Sequence, residues 1–239
     1  MIWVSDFYSF VESLLAMHAM PDEPGRTFAG RNVVVTGAGE GAGRATARAF
    51  GESGARVALL GEGRAGLEEV AGEVRRAGGE ALVVPVDMAE PWRAEEAADR
   101  VEGRLGPVVV WVNAAFASGR APFLAAAPEE FERVTRVTYL GCVNGTRAAL
   151  RRMLPRDTGA VVQLGPAPGE ADGPLGAASR GASHAIDGFT ASVRVELRRR
   201  RSRVAVTVVR LPAVTAPAFP WDLFRLPYRP HAARPAPSA

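Results

Sequence analysis

The sequence predicts an α/β fold: a doubly wound parallel sheet of about six strands, with a helix before it and a proline-rich tail after it. Three observations carry that expectation. The stretch Asn32–Thr46 reads NVVVTGAGEGAGRAT, a β-branched run that breaks into Gly37, Gly39, Gly41 and Gly43 and then into a helical segment. Short apolar runs alternate with amphipathic stretches from there to about residue 211. The chain has 239 residues, 47% of them hydrophobic, enough for one good core and one domain.

Taken in order, residues 1–20 place Ile2/Trp3, Phe7, Phe10/Val11 and Leu14/Leu15 at helical spacing. Asp6 and Glu12 stand where a secretory signal would be basic, so the segment reads as a helix packed on its own domain or on another subunit. Pro and Gly mark 21–31 as a linker, so 1–29 is helix and linker, 30–211 the main domain and 212–239 a tail. Within the domain the expected strands are Asn32–Thr36, Arg56–Leu60, Ala81–Val86, Pro107–Val112, Ala160–Leu164 and Arg203–Val209. The expected helices are Arg44–Ser53, Ala65–Ala77, Pro91–Leu105, Pro128–Met153 with a break near Gly141, and Gly181–Arg198. The tail holds seven prolines with Phe219, Trp221, Leu223, Phe224 and Tyr228, and is expected to lie extended over something apolar.

Composition excludes several classes. Net charge is only +3, and all 29 basic residues are Arg, with no Lys anywhere. One cysteine, Cys142, permits no disulfide framework and suits a reducing cytoplasm. No run of eighteen apolar residues exists, so no membrane span is expected. The Arg198–Arg201 run with Arg203 sits at a helix C-terminus, where cations suit the dipole, and no aromatic platform accompanies it. Nucleic acid is therefore not an expected partner.

A strand, a glycine turn and a helix N-terminus together cradle a pyrophosphate, because bare backbone comes close and free N–H groups meet the charge. The spacing of Thr36, Gly37, Gly41 and Gly43 resembles the TGxxxGxG of the short-chain dehydrogenase/reductase family, a Rossmann-like fold. The resemblance runs from Asn32 to about Phe219 and takes in Asp87, Asn113, the stretches 140–165 and 184–197, and LPAVTAP at 211–217. It implies that Asp87 meets the adenine and that Asn113 opens the family's NNAG motif. It also implies a tetrad, in which a Tyr handles the substrate proton, a Lys four residues later tunes it, a Ser binds the substrate oxygen and an Asn anchors a water.

At those four positions this chain has Ser179, Ser183, Pro166 and Thr138. A serine hydroxyl is far too weak an acid to replace a tuned phenol, and Ser183 has no charge with which to tune one. Pro166 offers neither a hydroxyl nor an N–H. The tyrosines are Tyr8, Tyr139 and Tyr228, and Tyr139 is expected about 100° round a helix from Thr138. His184 is expected to pack on helix neighbours, and no nucleophile–base set is legible among Ser179, Ser183, Glu170, Asp172 and Asp187.

The resemblance also bears on the cofactor. Glu40 and Glu62 stand where NADP-preferring members have a base and would repel a 2′-phosphate. NAD-preferring members have an Asp at Gly61, and Glu62 is the nearest substitute, so the expectation is NAD or no cofactor. Phe116 replaces the NNAG glycine, and Ala216 replaces the threonine that meets the carboxamide. Each retained residue also has a structural reason to be there: glycines for the turn, Asp87 for a cap, Asn113 to tie strands. No metal site is expected.

Three functions follow. The first is a non-catalytic subunit or scaffold that associates with itself or with an active relative. The second is an enzyme refitted for a non-redox step, such as cyclisation, dehydration or isomerisation, on a small molecule. The third is an NAD-dependent oxidoreductase with a substitute proton donor.

Overall fold

The computed structural model describes residues 28–117, 121–166 and 176–211. The expected N-terminal helix and the tail lie outside these residues. Six strands are found: β1 (Asn32–Thr36), β2 (Arg56–Gly61), β3 (Glu80–Pro85), β4 (Val108–Asn113), β5 (Ala160–Pro166) and β6 (Ala205–Leu211). All pair in parallel, in the order β3-β2-β1-β4-β5-β6. The helices are α1 (Gly41–Glu52), α2 (Arg64–Arg76), α3 (Pro91–Leu105), α4 (Pro128–Val134), α5 (Gly141–Met153) and α6 (Ala177–Arg199).

Alternation along β1 explains how the sheet holds two cores. Val33 and Val35 join Phe50 of α1 and Leu67, Val70 and Val74 of α2 on one face. Val34 joins Ala94 and Val101 of α3, Ala148 and Met153 of α5 and Leu197 of α6 on the other. Both faces are buried, which is why the strands read as continuous apolar runs. Among the described residues β6 ends the sheet on one side.

Four boundaries differ from expectation for physical reasons. α1 begins at Gly41, not Arg44, so two of the motif glycines lie inside its first turn. α6 begins at Ala177, not Gly181, because Ala178 and Ala182 bury against Val134 and hold the first turn in place. The break in the long helix is a π-helical turn, Thr135–Leu140, that ends just before Gly141. Asn113 is the last residue of β4 and not the first beyond it.

At α5 the backbone comes unusually close to the sheet. A Cβ on Gly145 would lie 2.2 Å from Asn113 Oδ1. Glycine there is what lets helix and strand share the buried polar cluster described below.

Candidate functional site

In a doubly wound sheet the crevice forms at the carboxyl ends of the strands, where the order reverses. Here that point lies between β1 and β4, and the β1–α1 turn occupies it. Gly37 has φ +61, and a Cβ on it would lie 2.6 Å from Ala115 Cα. A Cβ on Gly43 would lie 2.1 Å from the Gly37 carbonyl oxygen. The fold alone therefore demands these two glycines. Gly41 needs its freedom for a φ of +51, but its Cβ position faces open space. Gly39 is held by neither: its nearest neighbour would be 3.9 Å away, an ordinary contact.

The helix that follows starts without a side-chain cap. Glu40 is extended at the N-cap, and its carbonyl accepts the Arg44 amide at 3.1 Å. The amides ahead of Arg44 have no carbonyl within the helix, as at any helix start. Thr36 Oγ1 accepts the Ala114 and Ala115 amides at 3.1 and 3.3 Å, which ties β1 to the segment after β4. Thr36 is thus a strut of the crevice.

Around the crevice, Glu40 and Glu62 are both exposed at its rim. Asp87, two residues beyond β3, accepts the Ala89 amide through Oδ1 at 2.8 Å, so one carboxylate oxygen is committed to the turn. Phe116 is 43% exposed and not packed into the core.

Asn113 is buried and fully engaged. Its Oδ1 accepts Trp111 Nε1 at 2.9 Å, and its Nδ2 donates to Thr146 Oγ1 at 3.1 Å and Gln163 Oε1 at 2.8 Å. Gln163 Nε2 donates to Thr146 Oγ1 at 2.8 Å, and Cys142 Sγ donates to Gln163 Oε1 at 3.1 Å. Burial pushes the Cys142 thiol up to about 12 against the relief of a hydrogen bond with Thr146. The cluster locks β4, β5 and α5 together, the strand-tying role weighed for Asn113. Sequence reasoning missed Trp111, Cys142, Thr146 and Gln163. The available signal was the two-residue period, which puts Trp111 and Asn113 on one face of β4.

The structure places the four positions that the resemblance assigns to the tetrad at the end of β5, in the π-helical turn and at the start of α6. Pro166 is the last residue of β5. Thr138 is buried in the π-helical turn, and its Oγ1 accepts the Ala117 amide at 3.0 Å. Ser179 and Ser183 are buried on consecutive turns of α6, and Ser183 Oγ donates back to the Ser179 carbonyl at 2.9 Å. Such a bond satisfies the Ser183 hydroxyl within its own helix.

His184 is exposed on α6, and its Nδ1 lies 3.0 Å from the carbonyl oxygen of its helix neighbour Arg180. Tyr139 meets Phe189 edge to face, with centroids 6.5 Å apart, ten residues along α6 from Ser179. Asp187 is ion-paired to Arg210 of β6, a cation that sequence reasoning did not single out. Glu170, Asp172 and Ala216 lie outside the described residues.

Tested against a nicotinamide dinucleotide, the two halves of the crevice differ. The diphosphate end fits: an uncapped helix start, with open space over Gly41 and only ordinary contact at Gly39. The proton-relay end does not, since the Thr138 and Ser183 hydroxyls are committed to backbone. Among the described residues no group of three His, Cys, Asp or Glu side chains could hold a metal, and no helix is long and apolar enough to cross a membrane.

Comparison with known proteins places these features in a lineage. A sequence profile described as short chain dehydrogenase matches residues 31–220. The chain is 29% identical over 178 residues to an uncharacterized oxidoreductase, YxnA, of Bacillus subtilis; the match covers 74% of this chain and 50% of that protein. It is 34% identical over 197 residues to dehydrogenase/reductase SDR family member 7B of Bos taurus, covering 77% and 61%. The chain thus spans about half to three-fifths of the length of these relatives. Among solved structures, an actinorhodin polyketide ketoreductase variant with NADPH aligns with a TM-score of 0.73 and 31% identity over 78% of this chain and 72% of that one. NAD+-bound xylitol dehydrogenase aligns at 0.74 and 27%, over 82% and 75%.

Proposed function

The chain belongs to the short-chain dehydrogenase family, whose named relatives are oxidoreductases and dehydrogenases, and from that premise we propose that it is a non-catalytic member. In this reading it keeps the cradle for the diphosphate of a nicotinamide dinucleotide and has given up the family's proton relay. It acts as a binding subunit or scaffold, alone or beside an active relative, with the β6 edge open to association.

The observation that carries the proposal is the pair on α6. Where the resemblance puts an acidic phenol and the cation that tunes it, α6 carries two buried serines, and the Ser183 hydroxyl donates to the Ser179 carbonyl within the helix. Neither can be ionised near neutral pH, and no Lys exists elsewhere to substitute. Thr36, Gly37, Gly41 and Gly43 would hold the diphosphate, and Asp87 and Glu62 would flank the adenosine. Asn113 would hold the crevice wall in place. When bound, the dinucleotide would supply hydride chemistry that this chain does not complete with a proton.

The rim carboxylates favour NAD over NADP. Glu40 and Glu62 are exposed, and each would stand as a negative charge against a 2′-phosphate.

Calorimetric titration of the protein with NADH and then NADPH, followed by an assay of NADH oxidation with a panel of ketones, tests this. The expected result is NADH binding at least about tenfold tighter than NADPH binding, with no turnover. Turnover that disappears in Ser179→Ala would overturn the non-catalytic reading and establish a substitute donor. Silence with both dinucleotides would remove the cofactor part and leave the scaffold.

A further inference from the structure

The segment that leads into α4 exposes apolar surface with no evident reason to be wet. Phe123 is 66% exposed and Leu124 95% exposed, and Phe131 on α4 meets Phe123 edge to face, with centroids 6.5 Å apart. Ala177 and Ala178 at the start of α6 floor a shallow hollow beside them. Glu130 lines it, and α4 also carries Glu129 in its first turn and Glu132, which lies 3.9 Å from Arg136, with Arg133 the one basic residue of α4. Contiguous exposed aromatic and aliphatic surface of this kind marks a place that something covers.

Two observations select the occupant. The first is position. The shelf follows β4 and its floor follows β5, so both lie at the carboxyl edge of the parallel sheet. β6 ends at that same edge, with Leu211 registered against Pro166. The described chain instead begins at Phe28, ahead of β1 and so at the opposite edge. From Leu211 to Phe219 there are eight residues, a reach of up to about 26 Å.

The second is charge. Residues 212–239 carry Phe219, Trp221, Leu223, Phe224 and Tyr228 with Arg225, Arg229 and Arg234 against one acid, Asp222. That composition complements an apolar shelf with an acidic rim. Residues 1–27 are apolar too, but carry Asp6, Glu12, Asp22 and Glu23 against Arg26, and would repel it.

We propose that the Phe123–Leu124–Phe131 shelf is the docking site of the chain's own aromatic segment, residues 219–228. The segment contributes apolar contact, and Arg225 within it and Arg229 just beyond it meet Glu129 and Glu130. This holds whether or not a dinucleotide binds.

Limited trypsin digestion followed by mass spectrometry tests it on the full chain. Arg229 and Arg234 each precede proline, where trypsin does not cut, so Arg225–Leu226 is the tail's single cleavage site. Leu124→Glu changes a side chain that is almost wholly exposed and leaves the core intact. The expected result is that Arg225 is protected in the wild type, independent of protein concentration, and cut about tenfold faster or more in Leu124→Glu but not in Leu124→Met. Equal cutting of wild type and Leu124→Glu would overturn the proposal. Protection that rises with protein concentration would also overturn it, and would assign the shelf to a second copy.

Discussion

The two sides of the crevice have met opposite fates. At the β1–α1 turn, Gly37 and Gly43 are held by backbone contacts that allow no Cβ, and Thr36 braces the segment after β4. At the β5–α6 side, Thr138 Oγ1 accepts the Ala117 amide and Ser183 Oγ donates to the Ser179 carbonyl, so both hydroxyls are spent locally. The difference shows which motif residues the fold itself protects. A glycine that packs against backbone is costly to lose whatever the chain does, whereas a catalytic side chain is released as soon as its chemistry is not required.

The comparison is broken most forcefully at Gly43. Gly43→Ala places a methyl 2.1 Å from the Gly37 carbonyl oxygen, and the expected loss is about 3 kcal/mol or more in a denaturant melt. A melt like that of the wild type would mean that the turn is free to rearrange.

Next is Asn113→Ala, which strands Trp111 Nε1 and takes one hydrogen bond each from Gln163 and Thr146 in a buried setting. About 2 kcal/mol is the expected cost. Loss of dinucleotide binding with stability unchanged would instead make Asn113 a ligand residue.

A smaller effect comes with acid. Asp157, left-handed with φ 47, accepts hydrogen bonds from Ser202 Oγ at 2.7 Å and from the Arg203 amide at 2.8 Å. The Ser202 hydroxyl first, then the Arg203 amide and guanidinium, hold its carboxyl below the usual range. A depressed carboxyl pKa stabilises the fold above its unfolded value of about 3.9, and that stabilisation is lost as pH falls through the folded value. Asp157→Asn should therefore flatten the acid limb of the stability profile while leaving the neutral region nearly level.

The mildest change is the sharpest control. Gly39→Ala meets nothing closer than 3.9 Å and should alter stability by no more than about 0.5 kcal/mol. If it nonetheless weakens NADH binding about tenfold, the space over Gly39 belongs to a ligand. Identical titrations would remove that support for the cradle.

The sheet was legible because its strands are buried on both faces and punctuated by Gly and Pro, so that period and length agreed. The α6 start was not, because GPLGAASRG reads as loop and only burial of Ala178 against Val134 makes it helical. The glycine turn could be read from position alone. The partners of Asn113 could not: Thr146 and Gln163 lie 33 and 50 residues away, and no local period announces a contact across that distance. The shelf at Leu124 was equally invisible, since an apolar residue in sequence does not say whether anything covers it.

The buried cluster on β4 also gives the protein an optical reporter. The sequence holds four tryptophans, and Trp111, 1% exposed with its indole N–H bonded to Asn113, sits at the seam between β4, β5 and α5. Trp92, 61% exposed beside Arg93, stands on α3 in contact with water. An ionic quencher added to native protein would extinguish Trp92 and spare Trp111. In a chain with Trp3 and Trp221 replaced by Phe, the quenching-resistant, blue-shifted emission that remains would follow the opening of that one seam, separately from events elsewhere in the chain.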